Sequence, residues 1–463
     1  MARLTRRHYR CPTAVRTSAS GAVWWEADKM YDYLSPAKKV AEHAEVFIVH
    51  ARRTPVRFEA NQLKQVQTKE STTVALRIIK NGRIGFAVGN GAIPPETLVA
   101  MAVETVPFGP EAEFEFPAAD NYLPVNVFDA GVDDVSIERM AELGLGLIEK
   151  LREHTPDVLC EGNVSKQVSE IRLSNSRGME TSYQRSVFSV NIEGVLVREG
   201  DLLFVGDGES SCRPIMDCSR IAESTIRQLE YARVLTRLDS KTMPVVFTPI
   251  GIASTLVAPL GVAFNGKRVV DGSSPLKGRQ GEKVFDVKFN LWDDATLPFQ
   301  PGSCPCDDEG VPSQRTPLVE GGVVKEFLFD LQTARQAGTK STGSGRRGGG
   351  LPGPGSSSLI IGEGVESYQD ILKQIDEGLL VEFTMGAEQG NLLSGDFAGN
   401  VLLGFAVRNG EIVGRVKDTV VSGNVYQILG SIGALSREAR WVSGFLKTPY
   451  ILCPGLSVVS KGV

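Results

Sequence analysis

The chain has 463 residues, of which 42% are hydrophobic and 23% charged, and a formal net charge of −5. That length and composition allow a core of two or three domains, while the acidic balance gives the molecule as a whole no electrostatic claim on nucleic acid. No apolar run approaches the roughly eighteen residues needed to cross a bilayer, so a soluble chain with no membrane partner is expected.

Residues 1–29 are rich in Arg and Ser and poor in acids, and a disordered tail is expected there, with a basic arm as the alternative. An N-terminal α+β module follows over 30–106. It holds a helix at 31–43, strands at 44–51, 56–60 and 72–80, and a hairpin at Asn81-Gly82 leading into a fourth strand at 83–88. Pro94 and Pro95 open a helix with Glu96 in its first turn. Residues 107–124, with four prolines and little periodicity, read as a linker.

A second α+β module spans 125–240. Met140, Leu143, Leu147 and Leu151 line one face of a helix at 136–154. Strands at 164–175, 180–193 and 195–207 are joined by turns at Ser176-Arg177-Gly178 and Glu193-Gly194, and a helix at 221–235 closes the module. Residues 241–463 form a β-rich, barrel-like C-terminal domain, so the fold class expected is α+β. Within it, 250–264 is uncharged and of helical length, which predicts a buried helix. A further helix is expected at 329–337, and strands at 378–385, 400–408, 411–416 and 449–460, with a hairpin at Asn409-Gly410.

Residues 339–364 are the most unusual stretch, punctuated by glycine and proline, and predict a cleft wall or lid. Gly343, Gly345 and Gly348 spell G-x-G-x-x-G, but prolines and a strand pattern follow where a dinucleotide site needs a helix. A second glycine-punctuated loop, 386–399, is expected to face the first. Seven scattered cysteines favour a reducing, cytoplasmic location, and Cys304-Pro305-Cys306 reads as an unpaired surface turn. Turn chemistry accounts for Asp307-Asp308, and local backbone bonding for Asp396. All four histidines, at positions 8, 43, 50 and 154, precede residue 155, which removes both a histidine-ligated zinc site and a Ser-His-Asp triad confined to the C-terminal half. Ser341 and Thr342 have no base nearby in sequence, so intrinsic catalysis is not expected.

Residues 52–87 (RRTPVRFEANQLKQVQTKESTTVALRIIKNGRIGFA), 172–186 (RLSNSRGMETSYQRS), 307–343, 394–412 and the later VSGN at 421–424 together resemble the TldD/PmbA family of paired metallopeptidase subunits over about residues 38–460. The resemblance implies that the catalytic branch carries zinc on a helical His-Glu-x-x-x-His, whose positions match Val257, Ala258 and Val262 here. It therefore implies a PmbA (TldE)-like, non-catalytic subunit of a zinc peptidase acting on unfolded peptides, with no cofactor in this chain and zinc only in a TldD-like partner. A heterodimer or a homodimer would form the chamber, with Thr342, Gly343, Arg346, Arg347, Gly395 and Asp396 as candidate chamber residues. The alternatives are a homodimeric peptide-binding scaffold and a regulator of DNA gyrase.

Overall fold

The computed structural model of the chain describes residues 31–198 and 201–460, and the tail expected at 1–29 lies outside them. Seven antiparallel strands form the first sheet: β1 (His43–Glu59), β2 (Gln62–Val66), β3 (Lys69–Lys80), β4 (Arg83–Asn90), β5 (Leu159–Asn175), β6 (Glu180–Arg198) and β7 (Asp201–Ser211). Their order is β4-β3-β1-β5-β6-β7, with β2 beside the end of β1. Stretches 30–106 and 125–240 thus contribute to one sheet, joined where β1 pairs with β5 from Glu45 against Asn175 to Phe58 against Gly162.

Several local expectations change for identifiable reasons. The strands expected at 44–51 and 56–60 are one strand, because Pro55 falls between the last pairing of β1 with β3, at Arg53, and its first with β2, at Val56. On that edge a missing N–H interrupts no ladder, while pairing with β5 runs on through Pro55 opposite Ser165. The helix expected over 31–43 shrinks to Leu34–Ala37, since the chain is already joining β3 where the Glu42 N–H donates to the Ile79 carbonyl. Glu193-Gly194 is no turn but lies inside β6, opposite Gly206 and Val205. A Cβ on Gly194 would stand 3.0 Å from both Val158 and Val205, so tight packing explains the glycine. The linker at 107–124 is irregular yet anchored, with Phe116 only 1% exposed.

Local signals hold elsewhere. Asn81 and Gly82 take φ of 52° and 69° and join β3 to β4. The helix Ile137–His154 starts at Ser136, whose Oγ accepts from the Arg139 N–H at 3.1 Å, and buries Met140, Leu143, Leu147 and Leu151 against β5 and β6.

The C-terminal half holds β8 (Lys241–Phe247), β9 (Leu291–Asp294), β10 (Arg315–Glu320), β11 (Val323–Val324), a small ribbon of β12 (Gly345–Arg346) and β13 (Gly353–Pro354), and β14 (Leu359–Ile361). It continues with β15 (Glu377–Met385), β16 (Asp396–Arg408), β17 (Glu411–Arg415), β18 (Thr419–Asn424), β19 (Ala434–Val442) and β20 (Leu446–Ser460). Because β20 pairs with both β18 and β8, strands β8, β15, β16, β18 and β20 close into a five-stranded barrel. Closure leaves these strands no free edge. The expected α+β class with a barrel-like C-terminal domain is the one observed. One apolar cluster continues from the first sheet (Phe58, Phe188, Ile192) into the barrel wall (Leu380, Phe405, Leu452), so the two halves share core. Among the described residues no helix is long and apolar enough to cross a membrane.

Candidate functional site

The uncharged segment at 250–264 is two short helices, Pro249–Thr255 and Val257–Ala263. Pro259 has no N–H to give the Thr255 carbonyl and its ring crowds that turn, which separates the two. Nor is the segment wholly buried, as its composition suggested. Leu260, Ala263 and Phe264 point into the core, whereas Ala258 and Gly261 are exposed and Val257 and Val262 half-buried. Those four positions share one helical face. It is the face on which the family resemblance would set the histidines and glutamate. Hydrocarbon side chains offer a zinc ion no donor atom, so the residues present do not fit the metal. Among the described residues no three His, Cys, Asp or Glu side chains come together as metal ligands would.

The glycine-rich stretch begins inside the protein rather than over a cleft. Thr342 Oγ1 accepts from the Phe329 N–H at 2.8 Å and lies 2.9 Å from Ser344 Oγ. Gly343 has φ +68°, and a Cβ there would stand 2.7 Å from the Pro312 carbonyl oxygen, so both backbone and space require glycine. The Gly345 and Arg347 N–H groups each donate at 2.8 Å to a carboxylate oxygen, of Asp307 and Asp308 respectively. Asp307 also accepts from the N–H groups of Glu309 and Val311, at 3.0 and 2.9 Å, which is the expected turn chemistry performed in the interior. Burial pushes its carboxyl up to about 6, with those backbone donors pulling the other way. Cys304-Pro305-Cys306 is likewise no surface turn: both thiols are buried and free.

Beneath this loop an alternating chain of charges joins the halves of the molecule. Arg77 on β3 bonds Glu309 at 2.6 Å through Nη1 and Glu45 on β1 at 2.9 Å through Nη2; Arg347 pairs with the other oxygen of Glu45. Arg77, Glu45 and Glu309 have side-chain exposures of 2% or less. The Arg77 guanidinium also sits 4.7 and 4.9 Å from the ring centres of Phe114 and Phe116, which explains why the linker is anchored. Burial opposes its charge, but Glu45 and Glu309 outweigh that and hold it more firmly protonated. Burial pushes Glu309 up to about 8 despite Arg77, helped by the like charges of Asp307, Asp330 and Glu45. Arg346 places Nη1 3.2 Å from Cys304 Sγ and leaves Nε and Nη2 without hydrogen-bond partners among the described residues.

The second loop is different. Gly395, at φ +78°, packs against the Tyr426 ring. Asp396 is exposed and accepts from Asn424 Nδ2 and Ser394 Oγ, each at 2.8 Å, bonds that hold its carboxyl below the usual range. Of the candidate residues, Thr342, Gly343, Arg346 and Arg347 therefore come together, and Gly395 and Asp396 form a separate group. Among the described residues no hydrogen bond links the groups, but each reaches the helix Val257–Ala263 or its end: Tyr426 Oη donates to the Pro259 carbonyl at 3.4 Å and Asn265 Nδ2 to the Pro354 carbonyl at 2.7 Å. Sequence reading missed Glu45, Arg77 and Glu309. The available signal was a lone charge inside an apolar strand, as in HAEVFIV and VALRIIK.

Comparison with known proteins places the chain among relatives. The model for the PmbA/TldA metallopeptidase C-terminal domain matches residues 240–460, and the model for domain 1 of the same family matches residues 44–104. An uncharacterised protein of Methanocaldococcus jannaschii is 28% identical over 84% of this chain and 91% of its own length. A metalloprotease of Archaeoglobus fulgidus is 27% identical over 84% of this chain and 90% of its own. Among solved structures, TldE from Thermococcus kodakarensis superposes with a TM-score of 0.83 at 25% identity, covering 92% of this chain and 99% of that one.

Proposed function

The chain belongs to the PmbA/TldD metallopeptidase family, and we propose that it serves there as the subunit without hydrolytic chemistry of its own. One observation carries this reading: the helical face that would present zinc ligands and a general base presents Val257, Ala258, Gly261 and Val262 instead. A metallopeptidase needs a bound water made acidic by the metal and a carboxylate to take its proton, and this face supplies neither. The likeness to TldE across nearly the whole chain supports the same assignment.

On this reading the chain completes a chamber with a related, zinc-bearing polypeptide. The partner supplies the metal-assisted hydrolysis of unfolded peptides, and this chain supplies wall. The half-exposed apolar helix face suits that role, because extended peptides and partner helices both bury hydrocarbon on contact. The test is recovery of the tagged chain from its own cells under mild conditions. Co-purification of a related polypeptide bearing His-Glu-x-x-x-His, in equal amount, is expected. Recovery of self-associated chain alone would replace this reading with the homodimeric peptide-binding scaffold.

A further inference from the structure

A cavity lies where a helix covering the first sheet meets the barrel. It encloses about 110 Å³. The helix Ser219–Tyr231 presents Ser224, Arg227, Gln228 and Tyr231 to it at helical spacing; β15 contributes Leu380 and Glu382, β16 Phe405, β19 Arg440 and β20 Tyr450. Tyr368 stacks on Tyr450 with ring centres 4.3 Å apart, and Tyr231 meets Phe405 edge-on at 5.4 Å. One side is thus an apolar floor of rings and the other a polar rim.

The polar groups do not balance. Arg440 is committed to Asp207 at 2.6 Å, and Arg220 to Asp207 and Glu209 at 3.2 and 3.0 Å. Gln228 spends its amide on the backbone of Gly206, donating at 3.1 Å and accepting at 2.8 Å, and reaches Glu382 only at 3.4 Å. Arg227, exposed on the helix, makes no hydrogen bond or ion pair among the described residues, although its charge acts on Glu382, Tyr368 and Tyr450, and the hydroxyls of those two tyrosines make no hydrogen bond there either. Burial pushes the Glu382 carboxyl up to about 7, with Arg440, Arg227 and a hydrogen bond from Thr248 opposing. Donors on the rim outnumber acceptors. A guanidinium's paired N–H groups match a carboxylate, and stacked rings accept the hydrocarbon behind it.

We propose that this cavity binds the carboxylate of a small organic acid or of a peptide C-terminus, with Arg227 gripping the carboxylate, the Tyr368 and Tyr450 hydroxyls donating to it and the aromatic floor taking the adjoining carbon. Its volume suits a group of a few heavy atoms, since an apolar cavity of about 150 Å³ accepts benzene. The proposal does not rest on the subunit reading and concerns the isolated chain.

The experiment is calorimetric titration of the full chain, at low salt, with acetate, N-acetyl-alanine, N-acetyl-trialanine, N-acetyl-alaninamide and inorganic phosphate. At least one of the carboxylates should bind saturably, and at least tenfold more tightly than the amide and phosphate. Arg227→Met, at an exposed position and checked by circular dichroism, should weaken binding about tenfold, and Tyr450→Phe several-fold. Tighter binding of N-acetyl-trialanine than of acetate identifies a peptide terminus as the ligand, and the reverse a small acid. The proposal is overturned if the amide or phosphate binds as well as the acids, if Arg227→Met leaves affinity unchanged, or if no carboxylate binds at millimolar concentration.

Discussion

Two glycine-punctuated loops of similar composition end in opposite environments. Residues 341–347 are tied to the interior by Asp307, Asp308, Glu45 and Phe329, partners distant in sequence. Residues 391–396 are held by Ser394, Asn391 and Asn424 near the surface. Glycine spacing is common to both and decides neither. What differs is the arginine pair: Arg346 and Arg347 enter a buried set of carboxylates, whereas the second loop offers only short polar side chains that satisfy themselves locally. The first loop is a seam between the halves of the molecule and the second a surface feature.

The first loop's seam depends most heavily on Arg77. Arg77→Met removes the cation shared by Glu45 and Glu309 and two buried charge-assisted hydrogen bonds with it, which should cost about 3–5 kcal/mol, read as a fall in the urea midpoint at constant slope. A loop that merely lay over a cleft would show little change. Next in size is Gly343→Ala, which places a Cβ against the Pro312 carbonyl at positive φ and should cost about 1–3 kcal/mol by the same measurement.

A smaller effect sharpens the electrostatics. Folding raises Glu309 from its ordinary 4.5 to about 8, so the folded state holds that proton more tightly. The resulting stability is whole below 4.5 and is lost as pH rises through about 8. Glu309→Gln, permanently neutral, should therefore flatten the decline in unfolding midpoint between about pH 4.5 and pH 8. At the other loop, Asp396→Ala should leave the midpoint unmoved while speeding amide exchange at Ser394 and Asp396. A large loss there would erase the distinction between the loops.

Much of the fold was legible because it is local. Asn81-Gly82 and Asn409-Gly410 state their turns in two residues, and Met140, Leu143, Leu147 and Leu151 state a helix face by spacing. The long β1 was not, since Pro55 looks like a break until the ends of two neighbouring strands are known. The apolar segment 250–264 was read as one buried helix because composition shows neither the interruption at Pro259 nor the outward face of Val257, Ala258 and Val262. The charge seam was hidden for a similar reason: Glu45, Arg77, Glu309 and Arg347 are up to three hundred residues apart, and pairing at that distance leaves no periodic trace.

On the proposed reading, the helix face at Val257, Ala258 and Val262 makes this chain the non-hydrolytic half of a peptidase. The most direct measurement is metal content and cleavage of an unfolded peptide by the purified chain, alone and mixed with a His-Glu-x-x-x-His relative recovered with it. No stoichiometric zinc and no cleavage by the chain alone are expected, with chelator-sensitive hydrolysis in the mixture exceeding that of the relative by itself. Zinc-dependent hydrolysis by the isolated chain would contradict that reading.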